Sequence, residues 1–352
     1  MKADLHVHSY HSGYNHDLPF LRSRDCYTPP AEVYRTAKAR GMDLVTITDH
    51  DSINGCLEFL EQNPDASDFI IGEEISCWLP DSDPAIEVHL GAYGLTEQAH
   101  RDIQPLRGNA WDVIAYLQQQ RIFFALNHLF HFYRGQMAMG EYLALLDQVP
   151  ALETRNGAML PAHNALIEQI IAARTAAGLP KHAATAGSDA HTPRRIGRTW
   201  TECPGTNRDE FLANLRAGQG TAHGQQGATL SLTADIYGVI ADYWLSLIGL
   251  RRQEISLPRR TFGLAFSVVS APFEFIPLIV ASVSKSREAT KVAEYTRLLA
   301  ADTLTPAPIR GRTKEGTTAA PPSAAHGSEA EAGPAGAAGP PIHSLSPRTG
   351  RG

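Results

Sequence analysis

The segment Asp4-Leu5-His6-Val7-His8 places two imidazoles and a carboxylate at alternate positions. On an extended strand alternate side chains share a face, so Asp4, His6 and His8 point one way and Leu5 and Val7 the other. Two histidines at this spacing can share one metal ion, with Asp4 as an anchor behind them. Alone, the pair is an ordinary surface feature; its recurrence makes it informative. Gly187-Ser188-Asp189-Ala190-His191 repeats the i, i+2 spacing with a carboxylate and an imidazole. Thr48-Asp49-His50-Asp51, Gly72-Glu73-Glu74, His89 and Asn127-His128-Leu129-Phe130-His131 each lie in or just after an apolar run. Imidazole mixed with carboxylate, without cysteine, suits a catalytic Zn, Mn or Fe centre better than a structural one.

The apolar runs that carry these groups are Lys2–His8, Asp43–Thr48, Phe69–Ser76, Glu87–Tyr93, Ile122–Asn127, Ala151–Arg155 and Ala183–Ser188, all short enough for strands. Helical patterns lie between them. Pro30 opens Ala31–Arg40 and Gly41 closes it, while Ala162–Ala177 ends at Gly178. This βαβα alternation predicts an α/β fold, a distorted seven-stranded (β/α) barrel, with an open doubly wound sheet as the alternative. A barrel would bring the strand ends to one rim, where such folds keep their sites.

Hydrophobic content of 43% and charged content of 19% fit a globular chain with a sizeable core. A net charge of −6 argues against long nucleic acid as a partner, since no excess of Lys and Arg is available to face phosphate backbones. The four scattered cysteines predict free thiols. The N-terminus shows no apolar signal region, which gives an expectation of cytoplasmic location for the catalytic part. From about Gly227 the character changes. Thr229–Leu250 reads as a helix, and Arg251, Arg252, Arg259 and Arg260 precede an apolar stretch, Thr261–Ser284, that Lys285 and Arg287 follow. The stretch has the length of a membrane span, but Glu274, Pro272 and Pro277 favour a packed or interfacial helical appendage, with peripheral membrane association in view. Beyond Ala301 the Pro, Gly and Ala content predicts a disordered tail. The expected division is therefore 1–225, 226–300 and 301–352.

Taken together, Asp-Leu-His-Val-His at 4–8, Ile-Thr-Asp-His at 47–50, Gly-Glu-Glu-Ile-Ser at 72–76, Val-His-Leu at 88–90, Asn-His-Leu-Phe-His at 127–131 and Gly-Ser-Asp-Ala-His at 187–191 resemble, in order, the PHP (polymerase and histidinol phosphatase) superfamily. The resemblance implies a distorted seven-stranded barrel, two or three divalent metals (Zn, Mn or Fe) and phosphoester hydrolysis. It implies His6, His8, His50, Glu74, His89, His128, Asp189 and His191 as ligands. Glu73, of opposite strand parity to Glu74, is expected in a salt bridge or facing solvent. The family usually supplies another Asp or His soon after His-x-His. Here Gly13 and Tyr14 stand there, and His11, His16 or Asp17 could substitute, with His16 preferred.

Such chemistry needs a cluster because a phosphoester repels hydroxide and its alkoxide leaves poorly. Two metals about 3.5–4 Å apart would neutralise the phosphate oxygens and acidify a shared water. His131 is a candidate outer ligand or general acid, or else a packed core histidine. Asp49 would orient a ligand imidazole or cap the following helix. Arg194 and Arg195, with Arg198, Arg22, Arg24 and Arg155 behind them, are candidates to hold a phosphate, each with a surface salt bridge as the plain alternative. The expected substrate is a phosphorylated small molecule, a nucleotide or an oligonucleotide end. Two other readings are an amidohydrolase-like C–N hydrolase and a catalytically impaired metal-binding scaffold. The absence of lysine between Lys38 and Lys181 leaves no apparent carbamylated-lysine ligand for the first.

Overall fold

A computed structural model describes residues 1–14, 23–80, 85–131, 137, 139–251 and 255–300. Its strands are β1 (Lys2–Asp4), β2 (Leu44–Ile47), β3 (Phe69–Leu79), β4 (Ile86–Tyr93), β5 (Phe123–Leu126), β6 (Ala151–Asn156), β7 (Ala183–Gly187), β8 (Thr199–Glu202) and β9 (Thr221–Gly224). They form one sheet in the order β7-β6-β5-β4-β3-β2-β1-β8-β9. The sheet curls until the ends of β1 and β7 meet. Past the last residues of those strands, Asp189 N donates to His6 O at 2.8 Å and His8 N to Ala190 O at 3.0 Å, with a parallel bridge between Val7 and Ala190. The result is a nearly closed, barrel-like α/β sheet.

All seven expected runs form strands, but among the described residues the sheet has nine, which corrects the expected count. The two further strands are four residues each, Thr-Trp-Thr-Glu and Thr-Ala-His-Gly, too short and polar for alternation to reveal them. They pair antiparallel with each other and, through β8, with β1. The sheet is also not uniformly parallel. β4 runs antiparallel to both β3 and β5, whereas β1, β2 and β3 are mutually parallel, as are β5, β6 and β7.

The helices are α1 (Pro30–Ala39), α2 (Asn54–Gln62), α3 (Glu97–Ile103), α4 (Ala110–Gln119), α5 (Met139–Gln148), α6 (Pro161–Ala176), α7 (Arg208–Arg216), α8 (Thr229–Leu247), α9 (Leu257–Ser270) and α10 (Ile276–Ala300). Proline opens α1 and α6, where its missing N–H costs nothing. Val33 and Ala37 of α1 pack with Val45, Ile47 and Phe59. Phe211 and Leu215 of α7 close over Ala3, Leu44, Phe123 and Ala183, each such large side chain contributing about 1.5–3 kcal/mol on burial. The cysteines are free and buried, as the spacing predicts. The tail after Ala301 lies outside the described residues.

Helices α8 and α10 lie against the barrel and belong to the same compact unit. Buried Lys285 donates to Glu288 Oε2 and to Ala158 O, both at 2.6 Å, and Leu160 N donates to Glu288 Oε1 at 2.6 Å. Two turns beyond Glu288, Tyr295 packs against Phe130 and Tyr142, and its hydroxyl donates to Met137 O at 3.1 Å. This helix therefore supports the loop that follows β5.

Because Lys285 and Glu288 are both buried, removing one partner strands the other charge. Glu288→Ala is expected to cost about 3–5 kcal/mol in urea unfolding. The double variant Lys285→Met/Glu288→Leu, with neither charge, should recover most of that loss.

Candidate metal centre

Glu74, fully buried in β3, is the hub. Its Oε2 lies 3.1 Å from His6 Nε2, 3.4 Å from His8 Nε2 and 3.2 Å from His50 Nδ1. Its Oε1 lies 3.2 Å from His89 Nδ1 and 3.0 Å from His128 Nε2, and accepts a hydrogen bond from Asn127 Nδ2 at 3.0 Å. Asp189 Oδ1 approaches His6 Nε2 at 3.6 Å, His8 Nε2 at 3.5 Å and His191 Nδ1 at 3.7 Å. Eight side chains predicted as ligands thus meet at one rim, delivered by strands β1 to β5 and β7 or by the residues just after them. Four overlapping triads have donor atoms within 4.8 Å of one another: His6/His8/Glu74, His6/His128/Asp189, His50/Glu74/His89 and His8/His50/His191.

Two backbone features make the convergence feasible. A Cβ on Gly187 would lie 2.2 Å from His6 Cβ and 2.4 Å from His6 N, so only glycine lets β7 close against β1 here. His128 and Asp189 adopt positive φ, 23° and 51°, a conformation that costs non-glycine residues about 1–3 kcal/mol and that aims both side chains inward.

Supporting contacts set which nitrogen each imidazole offers. His6 Nδ1 donates to Glu153 Oε1 at 2.9 Å, leaving Nε2 for the cluster. His8 Nδ1 lies 2.9 Å from Ser12 Oγ, again freeing Nε2. Behind them Asp4 accepts from Ser188 N at 2.8 Å, Gly197 N at 2.6 Å and His6 N at 3.3 Å, the anchoring role its position predicts. Glu73 pairs with His100 Nδ1 at 2.9 Å and accepts from Gln104 Nε2 at 3.0 Å, the salt bridge that its parity predicts.

The charge states match. Burial opposes ionisation of Glu74, but His6, His50 and His89 outweigh it and hold the carboxyl well below its ordinary range. His6, His8 and His191 do the same for Asp189. Burial pulls His50 down to about 3 and also lowers His8, leaving their lone pairs free for a metal. His89 and His191 move the other way against burial, to about 10, under Glu74 and Asp25 respectively. A divalent cation among the same carboxylates would take the place of those protons. His6 Nε2, His8 Nε2, His50 Nδ1 and Glu74 Oε2 are buried without a well-directed hydrogen bond. Orphaned donor atoms aimed at one another, nitrogen and oxygen only, fit a multinuclear divalent centre.

The ligand missing after His8 has an unexpected candidate. Preferred His16, and with it Asp17, lies outside the described residues, and His11 pairs with Glu58 at 2.7 Å. Asp25 stands instead beside the cluster, its Oδ2 2.7 Å from His191 Nε2 and 3.8 Å from His50 Nε2. The sequence signal is Asp25-Cys26-Tyr27-Thr28-Pro29-Pro30, a carboxylate just ahead of the prolines that open α1. Glu153 was also missed. It is a lone carboxylate in an apolar strand, buried beside a register shift between Glu153 and Arg155.

Other expected roles change. Asp49 holds neither an imidazole nor a helix end: it accepts from Ser9 N at 2.6 Å and Ser9 Oγ at 2.7 Å, tying the end of β2 to that of β1. The ring of His131 lies 5.4 Å from that of His128 but joins none of the four triads, and burial with His128 and Lys285 keeps it neutral. Arg194 and Arg195 both engage Asp235 of α8, and Arg195, 6% exposed, also donates to Gly157 O and Ser231 Oγ. Their guanidinium groups pin α8 to the rim rather than facing the cluster.

These contacts predict different effects for two carboxylates. Asp25→Asn should lower the metal stoichiometry of purified protein, read by elemental analysis. Glu153→Gln should keep the stoichiometry but weaken metal affinity about 10–100-fold in chelator competition, as expected for loss of an orienting partner.

Residues 172–219 match the family model PHP-associated. An uncharacterized protein of Methanocaldococcus jannaschii, MJ1587, is 36% identical over 76 residues, which is 21% of this chain and 44% of that protein, so the match spans less than half the relative's length. Among solved structures, PsfC from Pseudomonas syringae overlaps at TM-score 0.45 and 19% identity, covering 69% of this chain and 98% of that one. A two-domain protein from Bacteroides vulgatus containing a predicted PHP-like metal-dependent phosphoesterase overlaps at 0.44 and 17%, covering 69% of each chain. The lesion-specific endonuclease PfuEndoQ from Pyrococcus furiosus overlaps at 0.42 and 16%, covering 84% and 90%. The PHP-associated match thus falls on the end of α6, β7, β8 and α7, and the ordered ligand motifs gathered on one rim are similar to those of the PHP superfamily.

Proposed function

We propose that this protein is a metal-dependent hydrolase, and within that class a phosphoesterase acting on a phosphate mono- or diester. The observation that carries the reading is the set of orphaned buried donor atoms around Glu74, drawn from separate strand ends to one point. Two or three divalent ions, Zn, Mn or Fe, would supply charge neutralisation at the phosphate oxygens and an acidified water.

The chain's own residues do the rest. Glu74 can bridge two positions because each of its oxygens faces a different set of imidazoles. Glu153 and Ser12 occupy the Nδ1 atoms of His6 and His8, so that each ring turns Nε2 inward. Asp25 draws His191 toward the cluster from the opposite side. Arg24 follows the same turn, its guanidinium 5.9 Å from the Tyr10 ring centre and 5.6 Å from that of Tyr14, and is the arginine we assign to a substrate phosphate. A nucleotide, an oligonucleotide end or a small phosphate ester in the cytoplasm is the substrate class this reading takes.

The test is a panel of phosphate esters with purified protein loaded with Mn or Zn. His8→Ala and Asp189→Ala should each lower turnover by roughly 10³-fold or more, the several kcal/mol a metal supplies. Equal turnover in wild type and both variants would sink the proposal. Near-stoichiometric metal with no hydrolysis of any ester would favour a binding scaffold.

A further inference from the structure

Among the described residues the C-terminal helices carry an exposed apolar surface. Leu257, Phe262, Leu264, Val268 and Val269 on α9 and Ile276, Leu278, Ile279, Val280 and Val283 at the start of α10 are all exposed, Val268 and Val269 at 76% and 73%. Phe273 and Phe275, between the helices, are more than half exposed. A contiguous apolar surface of this kind marks an interaction site.

How the residues are distributed identifies the occupant. α9 presses Gly263 against Tyr243 and Leu247 of α8, with residues 260, 266, 267 and 270 half-buried. Residues 262, 264, 265, 268 and 269 together form one broad apolar face, spread over roughly 160° of the helix and turned away from α8. The first turns of α10 repeat this, burying Pro277 and Ala281 while exposing apolar residues on the other sides. A broad apolar face flanked by basic residues is the pattern of a helix lying in the plane of a bilayer interface. Between Thr261 and Ser284 the sole charged residue is Glu274. Across 256–300, Arg259, Arg260, Lys285, Arg287, Lys291 and Arg297 outnumber Glu274, Glu288 and Glu294, opposite in sign to the chain's net −6. Arg259 and Arg287, just outside the apolar stretch, are exposed.

The bend sets the mode. No single helix among the described residues is long and apolar enough to cross a membrane, but Leu257–Phe273 and Ile276–Leu298 pass together, bent by 71°. The second half of α10 is fixed to the barrel by Lys285, Glu288 and Tyr295, so it is not free to enter lipid. We infer that α9 and the first turns of α10 form a bent apolar helix pair that inserts into one leaflet of an anionic bilayer. Arg259 and Arg287 lie at the headgroup level, and the barrel stays on the water side. Such elements sit about 5–10 Å deep.

The experiment uses the full metal-loaded chain and sedimentation with vesicles of phosphatidylcholine, alone or mixed with phosphatidylglycerol. The protein should partition onto the mixed vesicles, less so as salt rises. Val268→Glu/Val269→Glu should lower partition by roughly tenfold or more, since each buried carboxylate is costly in lipid. Arg259→Glu/Arg287→Glu should remove the preference for anionic vesicles. Both variants replace exposed side chains far from the metal cluster, so metal content and any ester turnover should stay at the wild-type level. Absence of partition by the wild type, or equal partition by Val268→Glu/Val269→Glu, overturns the inference. So does a dimer in light scattering that the valine variant dissociates while vesicles stay unbound; the surface would then join two copies of the chain.

Discussion

Everything at the rim depends on keeping one carboxylate ionised where water cannot reach it. Glu74 is wholly buried, and transferring such a charge from water costs several kcal/mol unless cations or donors surround it. The barrel meets that demand by bringing imidazoles from four other strand ends to within about hydrogen-bond distance of its two oxygens. The arrangement is poor as a stability device, since an apolar side chain could fill the same space. Its strained residues His128 and Asp189 add to the cost. Buried charge and backbone strain at the same place are the mark of a site built for binding.

The periphery of the fold is best understood as what holds that cluster in register. Gly187 permits the approach of β7 to β1, and Asp4 stitches the two together through Ser188 and Gly197. Ser9 and Asp49 join the ends of β1 and β2. On the far side α10 clamps the turn at Ala158–Leu160 and packs Tyr295 against Phe130, in the same loop as His128. The C-terminal helices are thus tied to the support of the site, although their sequence reads as an appendage.

Residues in alternation were legible and residues that act alone were not. His6 and His8, or Asp189 and His191, announce themselves because a strand's period of two repeats the donor type on one face. Seven strands could be read from apolar runs, but β8 and β9 are too short and polar to give such a run. The antiparallel setting of β4 was hidden for another reason: strand direction leaves no trace in periodicity. Asp25 escaped because the chain between His8 and α1 is long, and spacing along it says nothing about which carboxylate returns to the cluster. Glu153 escaped because one charge in a strand has no partner in sequence; its partners, His6 and the backbone of His128, come from elsewhere. Arginine is legible as a charge but not as an engagement, and Asp235, in a helix forty residues on, claims Arg194 and Arg195.

That engagement bears on how an anion could be recognised. With Arg194 and Arg195 pinned to α8, and Arg155 donating to Gly224 O at 3.4 Å, the arginines that follow the strands serve the scaffold. In the proposed metal-loaded site, much of the positive charge facing an anion would come from the ions that the imidazoles hold. Recognition by metal charge is strong but indifferent to what lies beyond the phosphate. Discrimination would therefore fall to the segment around Tyr10, Tyr14 and Arg24, where aromatic faces and one guanidinium stand beside Asp25. If the protein is the phosphoesterase proposed above, aromatic faces beside a guanidinium would suit a flat, charged group attached to the phosphate better than a bare phosphate.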